Sequence, residues 1–447
     1  MNRTPQNDDL RAAWFGRVSP DWKLGRAKNA FRVVSQKVGT RSSEYDLLSL
    51  TLKGIIPRDL DSGKGKFPES FDTYQEVKNG DIVFCLFDID ETPRTVGLSA
   101  VDGMITGAYT VVRCTKLAEP RYVTYFYLSI DQRKGLRPFY TGLRKVVRTE
   151  TFLNAAFPLP DLATQHQIAD FLDRETARID LLIKKKQRLV ALLGEKRQSG
   201  IVSAVTLGLN SAVDRQDNGV SWVPKIPKNW ELKKIKYLGK PIIGLTYSPD
   251  DLVSEGEGTP VLRANNIQAG KLQPKNLVYV ASDVPRKLRL RQGDILICSR
   301  NGSRNLIGKN AVVTSEFTGM TFGAFNTVLR SKYSDFLYWV LQSPVFDHQA
   351  GSFLTSTINQ LTISTLSNLV VPFAPPDEQE AICRYLLERE KIFNASAKTL
   401  RTSIDCLKEY RSALITAAVT GQINVQTYAK SGTPDRRLDA IQEEMGA

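Results

Sequence analysis

The sequence is poor in the residues that most often bind metals or form disulfides. Its 447 residues include two histidines, His166 and His348, and five cysteines with no C-x-x-C pair among them. Zinc sites need closely spaced cysteine and histidine ligands, and disulfide frameworks need paired cysteines, so neither is expected. Two isolated histidines also disfavour Ser/His/Asp and Cys/His catalysis.

Long hydrophobic runs are missing as well. The run from Ile82 to Phe87 is far shorter than the roughly 20 apolar residues that cross a bilayer. The polar start, Met1 to Pro5, lacks the apolar core of a signal peptide. We therefore predict a soluble cytoplasmic protein with no membrane partner. Cys85 and Cys298 fall within short apolar runs that are typical of buried strands, and we expect both to be inert core thiols.

The usual nucleotide-binding motifs are not found. The nearest approach to a G-x-x-x-x-G-K-S/T loop is Gly63 to Lys66, which has neither the spacing nor the hydroxyl, and no G-x-G-x-x-G follows an apolar strand. A stand-alone metal-dependent nuclease stays open as an alternative, because Glu76-Val77-Lys78 has the letters of an E-x-K motif. The comparable point of the second half reads Leu290-Arg291, which disfavours that alternative.

Positive charge, in contrast, is in excess. The formal net charge is +14 at pH 7, which indicates a partner of dense negative charge, and nucleic acid is the commonest such partner. At a soft average of roughly 150 residues per domain, the length predicts two or three domains.

An internal repeat organises the chain. Residues 154–206 align without a gap with residues 368–420, at a constant offset of 214 residues that matches Pro158 with Pro372 and Gln165 with Gln379. The many identities in one ungapped register indicate a duplication. Three further motifs recur upstream in both halves: Trp14 and Trp22 with Trp222 and Trp230, Gly80-Asp81 with Gly293-Asp294, and Gly107-Ala108-Tyr109 with Gly323-Ala324-Phe325.

Each half combines a strand-rich module with a long helix. The modules, Trp22 to Pro158 and Trp230 to Pro372, carry short apolar runs separated by Gly, Pro, Asn and Asp, and a short helix is predicted at Asp335 to Leu341. The helices have apolar residues at alternating spacings of three and four: Ile168, Leu172, Ile179, Leu182, Leu189 and Leu193 in one copy, and Ile382, Leu386, Phe393, Leu400, Leu407 and Leu414 in the other. Each helix would be roughly 60 Å long at 1.5 Å per residue, and the simplest partner for its apolar stripe is the other copy.

The repeated segments resemble the specificity subunit of type I restriction-modification systems. Residues 371–382 read Val-Pro-Phe-Ala-Pro-Pro-Asp-Glu-Gln-Glu-Ala-Ile, and the second helix closes with Ala418-Val419-Thr420-Gly421. These segments are similar to the P-L-P-P, E-Q-x-x-I and A-V-T-G motifs of that family. The first copy departs from them, because Thr164 stands before Gln165 in place of Glu, and Leu207 replaces the final Gly. The first departure predicts a weaker cap at the start of the first helix.

The resemblance implies an α+β fold in which two mixed α/β target recognition domains are joined by two long helices. The helices would form an antiparallel coiled coil within a pseudo-two-fold internal repeat. The expected segments are a first recognition domain at 1–158, a first long helix at 159–208, a linker at 209–221, a second recognition domain at 222–373, a second long helix at 374–425 and a polar tail at 426–447.

The resemblance also implies a function without catalysis in this chain. Each recognition domain would read one half of a split site on double-stranded DNA, and the helices would set the gap between the halves. Two methyltransferase subunits would bring S-adenosylmethionine, and restriction subunits that translocate DNA would bring ATP and Mg²⁺, so no cofactor is expected on this chain. The helix pair, with Lys184 to Lys186 on an exposed face, would be the docking surface. A protein-binding coiled-coil adaptor is the remaining alternative.

Loops rich in hydrogen-bond donors are the expected DNA contacts, because base edges and phosphates are bound by Arg, Lys, Asn and Ser side chains. A donor-rich loop around a glycine follows an apolar strand in the second module, and a polar stretch lies at Thr355 to Gln360. In the first module, basic residues precede the long helix. The predicted DNA-binding residues are Arg300, Asn301, Ser303, Arg304, Arg137, Arg144, Lys145 and Arg148.

Overall fold

The computed structural model describes residues 14–58, 70–220, 222–223, 225–281, 283–344, 348–349 and 360–428. The chain divides into two compact units: unit 1 is Met1–Gln187 with Arg401–Ala447, and unit 2 is Arg188–Leu400. Helices with described bounds are α1 (Ala27–Ala30), α2 (Pro120–Gln132), α3 (Thr149–Asn154), α4 (Leu162–Leu207), α5 (Ser334–Leu341), α6 (Ile363–Asn368), α7 (Pro376–Val419) and α8 (Val425–Tyr428). The short helix predicted at Asp335 to Leu341 is confirmed as α5. None of the helices in these ranges is long and apolar enough to cross a membrane.

Unit 1 is built on a four-stranded antiparallel sheet of order β2-β9-β6-β7. Its first and last strands, β1 and β12, pair antiparallel with Leu24 opposite Pro158. The strands are β1 (Leu24–Arg26), β2 (Phe31–Val34), β3 (Leu48–Thr51), β4 (Gly54–Pro57), β5 (Gln75–Val77), β6 (Ile82–Phe84), β7 (Val96–Leu98), β8 (Gly103–Ile105), β9 (Thr110–Cys114), β10 (Tyr140–Thr141), β11 (Val146–Val147) and β12 (Ala156–Pro158).

Unit 2 repeats this plan. Its antiparallel sheet has the order β16-β25-β22-β23, and β15 pairs with β26 so that Leu232 lies opposite Pro372. A second sheet has the order β17-β21-β18-β24. The strands are β13 (Arg215–Asp217), β14 (Lys225–Pro227), β15 (Glu231–Lys234), β16 (Lys240–Ile243), β17 (Leu252–Val253), β18 (Thr259–Leu262), β19 (Ile267–Gln268), β20 (Lys271–Leu272), β21 (Val278–Val280), β22 (Ile295–Cys298), β23 (Asn310–Val312), β24 (Thr321–Phe322), β25 (Asn326–Arg330) and β26 (Val370–Phe373).

The repeated Gly-Asp pair has the same structural role in both units. Gly80 and Gly293 adopt positive φ angles of 89° and 86°, which glycine tolerates at little steric cost. The following aspartates, Asp81 and Asp294, each accept a hydrogen bond of 2.9 Å from the backbone N–H three residues earlier. The pair therefore forms a tight turn that starts the central strand, β6 or β22.

Aromatic and aliphatic side chains fill separate cores. In unit 1, Phe31, Phe84 and Phe126 are buried against the sheet, and Tyr122 and Phe157 join them. In unit 2, helix α5 contributes its apolar face to the core. The thiols of Cys85 and Cys298 are buried, as predicted, and desolvation raises the pKa of both.

The long helices begin at well-defined caps. Asp161 accepts hydrogen bonds from the N–H and the hydroxyl of Thr164, at 2.9 and 2.7 Å, so the expectation of a weak first cap is wrong. The buried amides of Gln165 and Gln379 donate to carbonyls five residues earlier, those of Pro160 and Ala374, at 2.8 and 2.7 Å. This shared contact explains why both positions hold glutamine.

The helices also end alike. Gly421 has φ +68°, and a Cβ atom there would lie 2.8 Å from the Trp22 ring, so only glycine fits. Helix α4 runs through Leu207, and Gly208, with φ +73°, follows it against the ring of Trp230. The glycine that is absent from position 207 is therefore present one residue later, where it ends the helix in the same conformation.

Each unit contains part of both long helices. In unit 1, Arg411 of α7 pairs with Asp180 of α4, with Nε to Oδ1 at 2.9 Å, and Gln426 donates to Gln167 at 2.6 Å. In unit 2, Arg197 of α4 donates two hydrogen bonds to Glu390 of α7, at 2.6 and 3.2 Å. Eight of the predicted seam residues are buried: Ile168, Leu172, Ile179, Leu182, Ile382, Leu386, Leu407 and Leu414. Leu193, Phe393 and Leu400 are half-buried, and the prediction is wrong for Leu189, which is exposed.

Candidate nucleic-acid interface

The donor-rich loop of unit 2 lines an open cleft of about 690 Å³. Four loops meet there: those that follow β16, β18 and β22, and the Gly-Ala-Phe segment that precedes β25. The side chains and backbone that form the cleft belong to Leu245, Thr246, Tyr247, Arg263, Ala264, Asn265, Arg300, Asn301, Gly302, Gly323, Ala324, Phe325 and Asn326. None of these described residues is acidic, so the cleft suits a ligand that is negatively charged or rich in hydrogen-bond acceptors.

The backbone of the cleft is held by a dense set of hydrogen bonds. The amides of Ser299 and Arg300 both donate to the carbonyl oxygen of Phe325 at 2.9 Å, and the hydroxyl of Ser299 donates to the same oxygen at 3.0 Å. The amide of Leu361 donates to the carbonyl of Ser299 at 2.7 Å. These hydrogen bonds therefore fix the backbone of Arg300 and Phe325 at the wall of the cleft.

Arg300 lies over an exposed aromatic ring. Its guanidinium carbon is 5.2 Å from the centre of the Phe325 ring, and 58% of Phe325 is exposed. A cation over an aromatic face is attracted by the ring quadrupole, which restrains the plane of the guanidinium. In the described part of the chain no carboxylate pairs with Arg300, and the residue lines the cleft.

Asn301, Ser303 and Arg304 follow Arg300 in the same loop. The amide oxygen of Asn301 accepts from the backbone N–H of Ser303 at 3.0 Å, while Ser303 and Arg304 are exposed at a short 3₁₀ turn. Asn301 lines the cleft, whereas Ser303 and Arg304 lie beside it. Thr355 to Asn359 of the second polar stretch lie outside the described residues, and Gln360 forms an isolated β-bridge with Arg300.

The predicted basic residues of unit 1 are paired with an acidic loop. The Nε of Arg137 donates to Asp90 at 3.1 Å, and the ammonium of Lys145 lies 3.1 Å from Asp90 and 3.0 Å from Glu91. Arg144 lies 3.5 Å from Asp88. Arg148, exposed at the start of α3, forms no ion pair with any described residue.

These pairs set the charge states of the loop. The hydrogen bonds from Arg137 and then Lys145 lower the pKa of Asp90, and the hydrogen bond from Lys145 lowers that of Glu91. Desolvation, followed by the hydrogen bond to Asp90, raises the pKa of Tyr140 to about 12. The lowered pKa values keep Asp90 and Glu91 as carboxylates, which partly neutralise the charges of Arg137 and Lys145.

The structure adds residues that the sequence did not single out. Arg263 and Asn265 follow the apolar strand β18 in the way that Arg300 follows β22, a pattern that could have identified them. Asn326 is buried with its side-chain oxygen unpaired at the cleft wall. Lys186, expected on an exposed docking face, is buried, while Lys184 and Lys185 are exposed. Glu76 accepts a hydrogen bond from Tyr45 at 3.2 Å, and the described residues contain no cluster of three or more His, Cys, Asp or Glu side chains that could hold a metal.

Known proteins are similar to this chain in sequence and in fold. The family described as the type I restriction modification DNA specificity domain matches residues 92–191 and 227–405. The chain belongs to this family. The EcoKI specificity subunit of Escherichia coli K12 is 27% identical over 206 residues, so the match spans 44% of this chain and 44% of that relative, less than half of each.

Solved structures from type I R-M systems share the fold over most of the chain. A chain from a type I R-M system, solved to describe complex assembly and conformational transition, covers 91% of this chain and all of its own length, with a TM-score of 0.70 and 16% identity. The HsdS subunit of Thermoanaerobacter tengcongensis covers 91% of this chain with a TM-score of 0.51 and 17% identity. The two units of this specificity-domain protein thus have the known fold of two recognition domains.

Proposed function

We propose that this protein is the DNA-recognition subunit of a type I restriction-modification complex. Each unit reads one half of a bipartite DNA site, and the chain itself carries out no catalysis. The observation that carries this proposal is the repeated recognition fold on one chain, with the same sheet order in both units, within a family of DNA specificity domains. The net charge of +14 favours DNA as the ligand.

Helices α4 and α7 act in this proposal as an antiparallel coiled coil related by a pseudo-two-fold repeat. Support comes from the direction of the contacts inside each unit. In unit 1, Asp180 of α4 contacts Arg411 of α7, and the earlier residue Gln167 contacts Gln426 of α8, which follows the end of α7 at Val419. Opposed directions of this kind place the N-terminal part of one helix beside the C-terminal part of the other. The length of the pair sets the gap between the half-sites.

Two methyltransferase subunits dock on the helices in this proposal, and restriction subunits join them. S-adenosylmethionine, ATP and Mg²⁺ are bound by those partners. Exposed apolar residues on the long helices support a protein-binding role, because isolated helices rarely expose so many large apolar side chains to water without use. They are Leu181, Leu189, Leu192, Tyr385, Leu387 and Ile392.

Co-expression with the methyltransferase encoded beside this gene, followed by mapping of methylated adenines in host DNA, tests the proposal. We expect a bipartite motif with a fixed gap. Exchange of residues 22–158 for the same segment of another specificity subunit should change one half of the motif and leave the other half and the gap unchanged.

Other outcomes separate the two remaining alternatives. Metal-dependent cutting of DNA by the purified chain alone would support a nuclease. A stable complex with no sequence preference on DNA would support a protein-binding adaptor. Neither alternative predicts a bipartite methylation motif.

A further inference from the structure

We infer that Arg300 reads a guanine in the half-site bound by unit 2. This inference rests on the proposed function and names a base that the cleft recognises. Arginine is the side chain that most often specifies guanine, because two parallel N–H groups match the O6 and N7 acceptors in the major groove.

The geometry favours a base contact over a phosphate contact. The ring of Phe325 holds the Arg300 guanidinium at 5.2 Å, and the Ser299 and Arg300 amides are both bonded to the Phe325 carbonyl. A long side chain with a restrained plane loses less freedom when it forms two parallel hydrogen bonds. Phosphate contacts fix the position of a protein on the duplex and carry no sequence information, whereas contacts with base edges specify the sequence.

The surroundings of Arg300 also suit base edges. Beside it stand the amides of Asn265 and Asn301 and the hydroxyl of Thr246, groups that bond to base edges and that add no charge. The cations of unit 1 differ, since Arg137 and Lys145 are already bonded to Asp90. Of the two arginines that line the cleft, Arg263 donates to the carbonyl of Asn276 at 2.8 Å, whereas Arg300 lies over the Phe325 ring.

Unit 1 provides an internal contrast. Its Phe87, two residues after Cys85 as Arg300 is two residues after Cys298, stacks on Tyr109 with ring centres 6.0 Å apart. Tyr109 belongs to the repeated Gly-Ala-aromatic triplet, as Phe325 does. The aromatic partner is thus kept, and the arginine is replaced by an apolar ring. An arginine at this position is therefore a feature of unit 2 and is not repeated in unit 1.

The test uses the full chain in complex with its methyltransferase partner. Methylated adenines are mapped for the wild type and for Arg300→Ala, Arg300→Gln and a control, Arg286→Gln, which changes an exposed arginine of unit 2 outside the cleft. For Arg300→Ala, preference for guanine at one position of one half-site should fall by about 10- to 100-fold, the range expected for one bidentate contact. The gap and the other half should not change.

The variant Arg300→Gln tests whether the preferred base changes with the side chain at this position. Glutamine pairs with adenine at N6 and N7, so preference at that same position should shift from guanine towards adenine. Arg286→Gln should give the wild-type motif. Yield of the complex on size-exclusion chromatography confirms that each variant folds.

Three results would overturn the inference while the proposed function stands. One is a wild-type motif with no guanine in the half-site of unit 2. Another is an unchanged motif in both Arg300 variants. The third is a uniform loss of binding to all sequences with a smaller salt dependence, which identifies a phosphate contact. No methylation motif at all in the wild type would instead overturn the proposed function and the inference with it.

Discussion

The carboxylate of Asp294 receives two hydrogen bonds from the guanidinium of Arg330, at 2.8 and 2.7 Å. Asp81 receives two from Arg113 in the same way, both at 2.7 Å. Each aspartate is buried at the start of a central strand, and each arginine comes from the neighbouring strand of the same sheet. In both recognition units the aspartate–arginine pair thus links the Gly-Asp turn to the neighbouring strand of the sheet.

Loss of this pair should destabilise one unit. For Asp294→Ala we expect the free energy of unfolding to fall by about 3 kcal/mol, because the largely buried guanidinium of Arg330 keeps its charge and loses its carboxylate partner. Urea unfolding of the full chain measures the change. Asp283→Ala, at an exposed aspartate of the same unit, is the control and should change stability by less than about 0.5 kcal/mol. Equal effects of the two variants would contradict the expectation.

The second prediction concerns the contact between Glu378 and Trp230. The indole N–H donates to Glu378 at 2.9 Å, beside the turn at Gly208. Glu378→Leu leaves this buried donor unpaired, which should cost about 1 to 3 kcal/mol. A matched change at the exposed Glu380 is the control. Thermal unfolding followed by tryptophan fluorescence reports the difference, and an unchanged transition in Glu378→Leu would refute it.

The acidic loop of unit 1 gives a third prediction. Double substitution of Asp90→Asn and Glu91→Gln frees Arg137 and Lys145, so non-specific affinity for DNA should rise and depend more steeply on salt. Surface ion pairs contribute little to folding, so stability should change little. Titration of labelled random-sequence DNA with the complex at several salt concentrations measures the effect.

The pH dependence of that effect follows from the lowered pKa values of Asp90 and Glu91. A carboxylate whose pKa is lowered on folding keeps its ion pair at every pH above its pKa in the unfolded state. The ion pair is lost only as the pH falls through the lower pKa of the folded state. Between pH 6 and 8 the wild-type loop stays ionised, and its contribution to DNA affinity should be constant. An increase in wild-type affinity on going from pH 8 to pH 6 that the double variant lacks would contradict this assignment.

The fourth prediction concerns the cysteines. Cys406 is exposed, whereas burial raises the pKa of Cys85 and Cys298, and raises that of Cys114 and Cys383 to about 12. Since the thiolate is the reactive form, the native chain at pH 8 should bind about one equivalent of a thiol reagent. Cys406→Ser should abolish this rapid reaction, and unfolding should release the remaining thiols. Rapid labelling of Cys114 or Cys383 would contradict the prediction.

The fifth prediction tests the helices as a spacer. Insertion of one heptad in both α4 and α7 lengthens each by about 10 Å at 1.5 Å per residue. The gap in the methylation motif should grow by at most about three base pairs of 3.4 Å, with both half-sites unchanged. An insertion in α4 alone shifts the contact of Arg197 with Glu390 and should reduce complex assembly. An unchanged gap after the paired insertion would exclude the spacer role.

Much of the architecture was predictable because it is local. The periodic apolar residues and the glutamines Gln165 and Gln379 predict the two long helices. The expected range 159–208 compares with Leu162–Leu207, whereas the expected range 374–425 is too long, because the second helix is Pro376–Val419 and ends at Thr420-Gly421. Strand order was not predictable. The partner of Asp294 is Arg330, 36 residues later. The apolar runs of the short strands are similar, so the sequence does not indicate which strands pair.

The site was predictable in part for the same reason. Arg300 and Asn301 could be found because they directly follow a strand. Arg263 reaches the same cleft only because β18 pairs parallel with β24, which places Leu262 beside Phe322. Phe325 was visible as a repeated aromatic, but its exposure under Arg300 depends on packing that a single sequence does not reveal.

The contact between Tyr122 and Val419 has a consequence for how the protein is made. The Tyr122 hydroxyl donates to the Val419 carbonyl at 3.3 Å across 297 residues of chain, and Ile415 and Ala418 enter the same core. At roughly 5 to 20 residues per second, a ribosome needs on the order of 15 to 60 s to supply that last stretch. During that time the first half of the nascent chain waits with part of its core open, while the whole of unit 2 is translated. Until the last part of the chain is made, unit 1 therefore exposes apolar core surface, which favours aggregation and chaperone binding.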